Sequence, residues 1–393
     1  MATLYQKLLH VLDTRMPVLT RCLVRFRAQF ILVDQVSAWI AFRRLSRAYA
    51  PQLAKRIPSL ALWQRAFAAY LRQNPRNLTI YRAFMNTELE TVRQSASPGQ
   101  SGPPILVSVV KDDLERLKMV IEHHRKLGIE RFAILDNGST DGTLEWLVQQ
   151  NGIDVYQTRE KFQSLKKYGW INQLLARYDY DQWYLYVDSD ELLVYPDCET
   201  KPLQRLIAEL EQKNRDRMAA ILLDMYNDQE LYGSSDKTVP INEQYPYFDA
   251  DSYQLGISRR GPVIKGGPRK RLFSEHQEDS PLLIKFPLFK LKPGLIFESA
   301  HYLFPYQKNH AVHAALLHYK FLASDLKRHE IIAREGNFQG GSREYKRYLN
   351  TYRDNRHLTF IYPGSVAYED SRSLARIPLI QPIDHETSQG QLP

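Results

Sequence analysis

The residues best suited to chemistry in this chain are three carboxylates within four positions, Asp188, Asp190 and Glu191. They directly follow residues 183–187, an aromatic and aliphatic run that is too short for a typical helix and lacks a clean period of two. Such a run is typical of a strand that is buried on both faces of a largely parallel sheet. Carboxylates cannot continue into that core, because an unpaired buried charge is very costly. We therefore place them at the carboxyl end of the strand, where open α/β sheets bind ligands.

The spacing of Asp188 and Asp190 predicts a cation site. At a bend, the two carboxylates that flank Ser189 can face one hard cation, and diphosphate oxygens can fill its remaining positions. A solvated turn or a helix cap is the alternative interpretation, because a lone Asp-x-Asp pair is common in both. The apolar strand in front of the pair favours the ligand site.

Strand and helix patterns alternate in front of this stretch. Apolar runs predict strands at 105–110, 131–135 and 153–157, each followed by a helical pattern. A loop rich in glycine and short polar groups, residues 136–142, suits a tight strand-to-helix connection. Three βα units before an acidic strand end predict an α/β fold with a mostly parallel sheet and right-handed crossovers.

The composition is that of a globular protein, but the charge is unevenly distributed. The residues are 44% hydrophobic and 11% aromatic. A length of 393 residues suits two or three domains, or one large α/β domain with additions. The only cysteines, Cys22 and Cys198, exclude a disulfide framework and a cysteine zinc site. The formal net charge is +9, and the first 93 residues alone hold fifteen Lys and Arg against four acidic residues, a net of +11. The basicity therefore belongs to the N-terminal segment.

Changes in composition divide the chain into four parts. They are a basic helical region at 1–94, a Ser/Pro/Gly-rich linker at 95–104, the α/β domain at 105–325 and a C-terminal extension at 326–393. The extension is predicted to contain two helices, and its last ten residues to be disordered.

The basic N-terminal region predicts four helices, at 19–33, 35–49, 59–73 and 76–94. A basic amphipathic start suits an anionic membrane surface, and the alternative is a helical cap whose arginines are merely solvated. No run of 18 apolar residues exists, so we expect no membrane span. No nucleic-acid-binding module accompanies the charge. We expect a cytoplasmic protein, peripheral on the inner face of the cytoplasmic membrane if the first interpretation holds.

Several ordered blocks resemble glycosyltransferase family 2, and within it a bacterial branch. The blocks are Val110-Lys111-Asp112, Glu122-His123-His124-Arg125, residues 136–143, Asp188-Ser189-Asp190-Glu191 and Leu317-His318-Tyr319-Lys320-Phe321. They span about residues 105–325 and leave the first 95 residues uncovered. Asp112-Asp113 after the lysine replaces the Asn-Glu of that branch, and Leu192 replaces a phenylalanine, which leaves the donor open.

The resemblance implies a GT-A fold, flanked by helices, that transfers a sugar from a nucleotide-sugar donor. A UDP-sugar is the favoured donor, and a glycan or lipid-linked acceptor of bacterial surface polysaccharide synthesis is the expected partner. The donor-binding candidates are Lys111, Asp112, Asp136, Lys167 and Asp188. The resemblance also implies that Asp188 and Asp190 bind Mn²⁺ or Mg²⁺, which neutralises the diphosphate leaving group.

His318 is the candidate for a further metal ligand, and a structural histidine is the alternative. The catalytic candidates are Asp190, Glu191 and Glu298, because an inverting transferase needs a general base near the acceptor hydroxyl. Three residues rival Glu298 as that base: Asp224, Asp228 and His301. The sequence does not choose between them.

Two other functional classes stay open. A sugar nucleotidyltransferase would share an α/β core and a metal, but it usually has a Gly-rich loop after the first strand, and residues 109–113 contain no glycine. A non-catalytic carbohydrate-binding relative is the second alternative. The basic segment 261–271 is predicted to be a flexible loop that closes over a diphosphate or meets an anionic acceptor, and a solvated run of charges is the alternative.

Overall fold

The computed structural model describes residues 17–95, 102–236, 238–274, 280–308 and 311–383, with side chains from residue 34 onward except that of residue 339. Most of the predicted linker at 95–104 and the last ten residues lie outside these ranges. The side chains of the predicted apolar stripe at 19–33 also lie outside them, although its helix is described.

The described chain alternates strands and helices. Its strands are β1 (Glu90–Arg93), β2 (Ile105–Val110), β3 (Arg131–Asp136), β4 (Ile153–Gln157), β5 (Trp183–Tyr186), β6 (Glu191–Val194), β7 (Arg217–Asp224), β8 (Tyr247–Asp249), β9 (Tyr253–Ser258), β10 (Gly261–Gly266), β11 (Ile284–Lys290), β12 (Ile296–Ser299), β13 (Tyr302–Phe304), β14 (Val312–His318) and β15 (Ser365–Ala367). Its α-helices are α1 (Pro17–Leu53), α2 (Leu60–Gln73), α3 (Leu78–Asn86), α4 (Leu114–Lys126), α5 (Thr143–Leu147), α6 (Ser164–Leu175), α7 (Leu203–Gln212), α8 (Ile241–Gln244), α9 (Gly267–Phe273), α10 (Leu326–Glu335) and α11 (Gln339–Asp354). Three 3-10 helices lie at Pro75–Asn77, Ala323–Asp325 and Ser371–Arg376.

Nine of the described strands form one central sheet in the order β1-β4-β3-β2-β5-β11-β7-β14-β6. Strands β2, β3, β4, β5, β7 and β14 run in one direction, and β1, β6 and β11 run in the other. Helices α4, α5 and α6 connect the first four parallel strands in turn. This architecture confirms the predicted α/β fold with a mostly parallel sheet flanked by helices.

Strand β5 lies inside the sheet, between β2 and β11, and all four of its residues are buried. The same holds for every residue of β7 and β14. Burial on both faces explains why these strands show apolar runs in place of alternation. Residues 188–190 leave the sheet at the carboxyl end of β5, as predicted. Glu191 does not, because it is the first residue of β6 and is buried.

The second and third helices of the N-terminal region pack into the core of the sheet domain. Helix α3 lies so close to α6 that a Cβ atom on Gly169 would fall 2.5 Å from the Cβ of Ala83 and 2.5 Å from the carbonyl oxygen of Ile80. Nε1 of Trp170 donates a hydrogen bond to Oγ1 of Thr87 at 3.0 Å. Apolar residues of both helices belong to the same buried cluster as the sheet.

Two of the predicted N-terminal elements are corrected by the structure. The helices predicted at 19–33 and 35–49 are one helix of 37 residues, because no glycine or proline interrupts it before Pro51 in its last turn. The helix predicted at 76–94 is wrong in its second half. Thr87 leaves the helical conformation, and Glu90–Arg93 adds to the sheet edge as β1. No described helix combines the length and apolarity that a bilayer span requires.

The prediction of a flexible loop at 261–271 is also wrong. Gly261–Gly266 pairs with β9 as strand β10, and Gly267–Phe273 forms α9. Two of the predicted basic residues are bound within the protein: Arg269 contacts Asp224, and Arg271 contacts Asp249. Part of the positive charge of this segment is therefore neutralised by carboxylates of the protein itself.

The C-terminal extension shares a second, smaller core with residues of the α/β domain. The two helices predicted there are present as α10 and α11. Aromatic rings from α9, α11 and the neighbouring loops pack together in this core, namely Phe273, Phe321, Tyr345, Tyr348 and Phe360. Helix α10 begins close to the end of β14, which brings the extension to the carboxyl edge of the sheet.

Candidate functional site

Asp188 leaves β5 at its carboxyl end and is held by two lysines. Its Oδ1 accepts hydrogen bonds from Nζ of Lys167 at 2.9 Å and from the hydroxyl of Tyr186 at 2.6 Å, and its Oδ2 accepts one from Nζ of Lys285 at 3.0 Å. Burial alone would raise the pKa of Asp188, but the two lysines outweigh burial and hold that pKa well below its ordinary value. Asp188 is therefore a charged carboxylate with both oxygens engaged.

Lys285 comes from β11, the antiparallel strand between β5 and β7, and the sequence predicts no role for it. Its Nζ also donates to Oε1 of Glu191, whose Oε2 accepts the backbone N–H of Asp188 at 3.2 Å. Burial opposes the charge of Lys285, yet Asp188 and Glu191 raise its pKa above the ordinary lysine value. A lysine inside Ile284–Lys290, an otherwise mostly apolar strand, is the signal that could have identified it.

Asp190 begins a row of polar groups that crosses the carboxyl ends of three strands. Its Oδ2 lies 3.3 Å from Nε2 of His318, and Nδ1 of His318 lies 2.6 Å from Oδ1 of Asp224. Nε of Arg269 donates to Oδ2 of Asp224 at 2.7 Å, and its Nη1 donates to Glu344 at 2.9 Å. All members except Asp190 and Glu344 are buried.

Strand pairing explains how His318 reaches the carboxylates. In β14 it is opposite Glu191 of β6 on one side and Asp224 of β7 on the other. In the neutral imidazole, a proton on Nδ1 is donated to Asp224, which leaves the Nε2 lone pair facing Asp190. Burial would lower the pKa of His318, but Asp190 and Asp224 together raise it above the ordinary histidine value.

Asp190, Glu191 and His318 form a candidate metal-ligand group among the described residues. One ligand atom from each lies within 4.8 Å of the others. Two carboxylates and an imidazole suit Mn²⁺, and Asp224 behind His318 is the kind of second contact that orients such a ligand. Asp190 is the most open member, with 21% of its side chain exposed. The donor set therefore fits a divalent ion.

The residues predicted as metal ligands thus fall into two places. His318 lies beside Asp190, whereas the carboxylate of Asp188 faces Lys167 and Lys285 and is not part of the candidate ligand group. The roles of Asp188, Asp190 and His318 as metal ligands stay predictions.

The polar loop after β3 is organised by Asp136. This side chain is fully buried, and its carboxylate accepts hydrogen bonds from the backbone N–H groups of Gly138 and Ser139 at 3.0 and 3.1 Å. Nε2 of Gln157 donates a third, at 3.2 Å. Asp136 therefore fixes the conformation of the loop through these hydrogen bonds. Its contact with a nucleotide stays a prediction.

Lys111 and Asp112 face the same loop from the end of β2. Nζ of Lys111 donates to the backbone carbonyls of Asn137 at 3.3 Å and Gly138 at 3.0 Å, and 49% of the Lys111 side chain is exposed. Oδ1 of Asp112 accepts the backbone N–H of Thr140 at 2.6 Å. The loop is thus held in place, and the Lys111 ammonium is open to an anion.

Asp113 joins this edge to the Asp188–Asp190 turn through contacts that the sequence does not predict. Its carboxylate receives Oγ of Ser189 at 2.5 Å, Nη1 of Arg116 at 3.1 Å and Nη1 of Arg328 at 2.8 Å. Nη2 of Arg116 donates to Asp325 at 2.5 Å. The carboxyl ends of β2 and β5 and the start of α10 therefore form one charged network.

The candidates for the general base differ in how many of their polar atoms already have a partner in the protein. Glu298 is buried, with an ion pair to Arg260 at 3.0 Å and a short hydrogen bond from the hydroxyl of Tyr306. Asp224 is bound on both oxygens, as described above. Asp228 is exposed and accepts a hydrogen bond from the neighbouring glutamine.

His301 has a different arrangement. Its Nδ1 lies 2.7 Å from the backbone carbonyl of Ile284, so Nδ1 carries the proton and Nε2 the lone pair. None of the described residues makes a hydrogen bond to Nε2. Burial, followed by the charge of Lys285, lowers the pKa of His301 to about 4. His301 is therefore a neutral imidazole with one free nitrogen, and the base role of each candidate stays a prediction.

No protein-family model matches the sequence, and no curated protein matches it. One structural neighbour is HddC from Yersinia pseudotuberculosis, with a TM-score of 0.27 and 11% identity over 48% of this chain and 77% of that one. Another is the mannosyltransferase PcManGT from Pyrobaculum calidifontis, solved with GDP-Man and Mn²⁺. Its TM-score is 0.23, with 14% identity over 42% of this chain and 46% of its own. At these TM-scores neither neighbour carries an argument about this protein.

Proposed function

We propose that this protein is a divalent-metal-dependent glycosyltransferase that moves a sugar from a nucleotide-sugar donor to a glycan or lipid-linked acceptor, with inversion. The observation that carries the proposal is the group formed by Asp190, Glu191 and His318 at the carboxyl edge of the parallel strands. Ligands of open α/β sheets bind at this edge. The family resemblance supports the same reaction and a role in bacterial surface polysaccharide synthesis.

In this proposal the residues in and around the candidate metal-ligand group have separate roles. Asp190 and His318 would hold Mn²⁺ or Mg²⁺, which supplies positive charge opposite the leaving diphosphate. Asp224 orients the imidazole of His318, and Lys285 holds Glu191 in place. The half-exposed side chain of Lys111 would present its ammonium to the diphosphate from the end of β2.

A screen of nucleotide sugars tests the function directly. Titration calorimetry of UDP- and GDP-sugars should find at least one donor that binds with Mn²⁺ and loses its affinity when EDTA is added. The same donor should be slowly hydrolysed when no acceptor is present. If none of these donors binds with either Mn²⁺ or Mg²⁺, the proposal is wrong.

We also propose that α1 rests on an anionic membrane surface. In contrast to the buried Trp63 and Phe67 of α2, Val36, Trp39 and Ile40 are 51%, 41% and 63% exposed on successive turns of α1. Three exposed arginines follow on the same helix, Arg43, Arg44 and Arg47. These arginines form no ion pair with any residue whose side chain the structure describes, and apolar side chains beside such cations suit the boundary between lipid headgroups and acyl chains.

Vesicle flotation tests this surface in the full-length protein, because α2 and α3 share the main core and their removal would expose it. At low salt the protein should float with vesicles rich in phosphatidylglycerol, and salt should weaken the binding. Replacing the three arginines by glutamine should cost about 3 kcal/mol, roughly a hundredfold in partitioning. Trp39→Ser with Ile40→Ser should also release the protein.

Leu62→Ser, on α2, is the matched control, because Leu62 is 39% exposed but lies outside the exposed turns of α1. It should leave flotation unchanged. Equal flotation with neutral vesicles, or no effect of the arginine substitutions, would contradict the membrane proposal.

A further inference from the structure

Arg328 lies on α10, just beyond the blocks that carry the family resemblance, yet its guanidinium reaches the end of β2. Its Nη1 lies 2.8 Å from Oδ1 of Asp113 and 3.5 Å from the backbone carbonyl oxygen of Asp112. Its Nε and Nη2 have no hydrogen-bond partner among the described residues, and 36% of the side chain is exposed. Three of the five N–H groups of this arginine are therefore open to a ligand.

Arg116 binds the same Asp113 carboxylate, but its role is purely structural. Its Nε donates to the backbone carbonyl of Tyr319 at 2.9 Å, its Nη1 to Asp113 at 3.1 Å and its Nη2 to Asp325 at 2.5 Å. Only 6% of its side chain is exposed. All three nitrogens of Arg116 are engaged, whereas Arg328 uses only Nη1.

Arg328 is connected through Asp113 to the turn that carries Asp188 and Asp190. The carboxylate of Asp113 that holds Arg328 also accepts the hydroxyl of Ser189, the residue between Asp188 and Asp190. Burial works against the charge of Arg328, but Asp113, Asp325 and Asp190 outweigh burial and raise its pKa above the ordinary arginine value. Arg328 is therefore charged at neutral pH.

A second half-exposed cation faces the same segment. Nζ of Lys111 lies 3.6 Å from Oδ2 of Asp112, while Arg328 contacts the backbone carbonyl of Asp112. The two cations thus flank Asp112 at the carboxyl end of β2, the strand next to β5. This arrangement offers positive charge to an anion without using the lysines that neutralise Asp188.

We propose that Arg328 binds the diphosphate of a nucleoside diphosphate donor through its free Nε and Nη2. A guanidinium presents these groups as a planar fork that matches two phosphate oxygens. The inference rests on the proposed transferase function and adds a binding residue from the C-terminal extension to it. Arg328 then holds the nucleoside diphosphate both in the donor and after the sugar has left.

Calorimetric titration of the full-length protein with UDP and with GDP, in the presence of Mn²⁺, tests the inference. Arg328→Gln should weaken binding of the preferred diphosphate at least about tenfold, since a hydrogen bond to a charged group contributes roughly 1.5–3 kcal/mol. Arg328→Lys keeps the charge beside Asp113 but loses the fork, so we expect a smaller loss in the same direction. Arg334→Gln, an exposed arginine on the same helix, should bind as the wild type does.

A titration with Mn²⁺ alone separates direct binding from a structural effect. Arg328 makes no hydrogen bond or ion pair to the candidate ligand group among the described residues, and its charge opposes that of a cation, so Arg328→Gln should not weaken the binding of Mn²⁺. An equal loss of Mn²⁺ affinity would mean that Arg328 acts through Asp113 and the turn, which overturns the inference. Wild-type affinity for the diphosphate in both Arg328 variants overturns it as well. If the wild type binds neither UDP nor GDP, the proposed function fails together with it.

Discussion

Asp190→Asn should weaken Mn²⁺ binding about 100-fold or more and leave the fold intact. Burial raises the pKa of Asp190, but His318 lowers it far below the ordinary value, so the side chain is a full carboxylate at neutral pH. Asparagine keeps its shape and can still meet the imidazole, but it removes one of the charges that the ion requires. Loss of a group that merely orients a ligand costs 10–100-fold in metal affinity, so loss of a ligand should cost about 100-fold or more.

Calorimetry with Mn²⁺, with and without the donor, measures this effect. Asp181→Asn is the matched control, because Asp181 is exposed just before the amino end of the same strand β5. Its φ of 62° lies in the left-handed region that asparagine also tolerates. The control should bind Mn²⁺ normally. Unchanged Mn²⁺ affinity in Asp190→Asn would remove the candidate site.

The parts of this site that could be predicted are those in which the informative residues are neighbours in the chain. Asp188 and Asp190 directly follow their buried strand, so the hydrophobic pattern of the strand also predicts where the polar turn lies. The same is true of Asp136 and its loop. A contiguous pattern predicts which residues leave the sheet at its carboxyl end, but it does not predict which side chains they meet there.

Lys285 and Arg328 show why the rest could not be predicted. Lys285 reaches Asp188 only because β11 inserts between β5 and β7, and no periodicity in the sequence determines that strand order. Arg328 reaches Asp113 through a pairing between residues 215 positions apart. The position of His318 depends likewise on β14 pairing with both β6 and β7. The resemblance makes His318 a candidate, but it does not predict the contact of His318 with Asp224.

The misassigned elements have a related cause. Residues 76–94 are helical by periodicity, but the edge of the sheet captures Glu90–Arg93 as β1, where Thr91 and Val92 suit a strand. The basic run at 261–271 looks solvated in isolation, yet the buried Asp224 and Asp249 bind two of its arginines. In both places a tertiary contact overrides the local pattern.

Lys285→Met should produce the largest loss of stability of any single substitution proposed for this protein. The Lys285 side chain is 5% exposed and that of its partner Glu191 is 1% exposed. Methionine has a similar length and no charge, so the substitution leaves a buried carboxylate without its cation. Breaking a buried ion pair on one side costs about 3–5 kcal/mol. Urea unfolding followed by circular dichroism should show a clear shift of the midpoint.

Lys290→Met is the matched control on the same strand. Lys290 is 27% exposed and pairs with Glu211, which is 45% exposed, so water screens the interaction. Its loss should cost no more than about 1 kcal/mol. If both lysine variants lose the same stability, the buried position of Lys285 has no special role.

The dependence on pH identifies Glu191 as the carboxylate left behind. Burial already raises the pKa of Glu191 above the ordinary glutamate value, and removing Lys285 should raise it further. A glutamate with a raised pKa in the folded protein is easiest to accommodate when it is protonated. Its contribution to stability is therefore fully present below the unfolded pKa of about 4.3 and is lost as the pH rises through the folded pKa. The deficit of Lys285→Met should therefore be larger at neutral pH than near pH 4. Adding Glu191→Gln should recover much of the stability at neutral pH, because no buried charge then lacks a partner. If the double variant is as unstable as Lys285→Met alone, the loss of stability comes from the contact of Lys285 with Asp188.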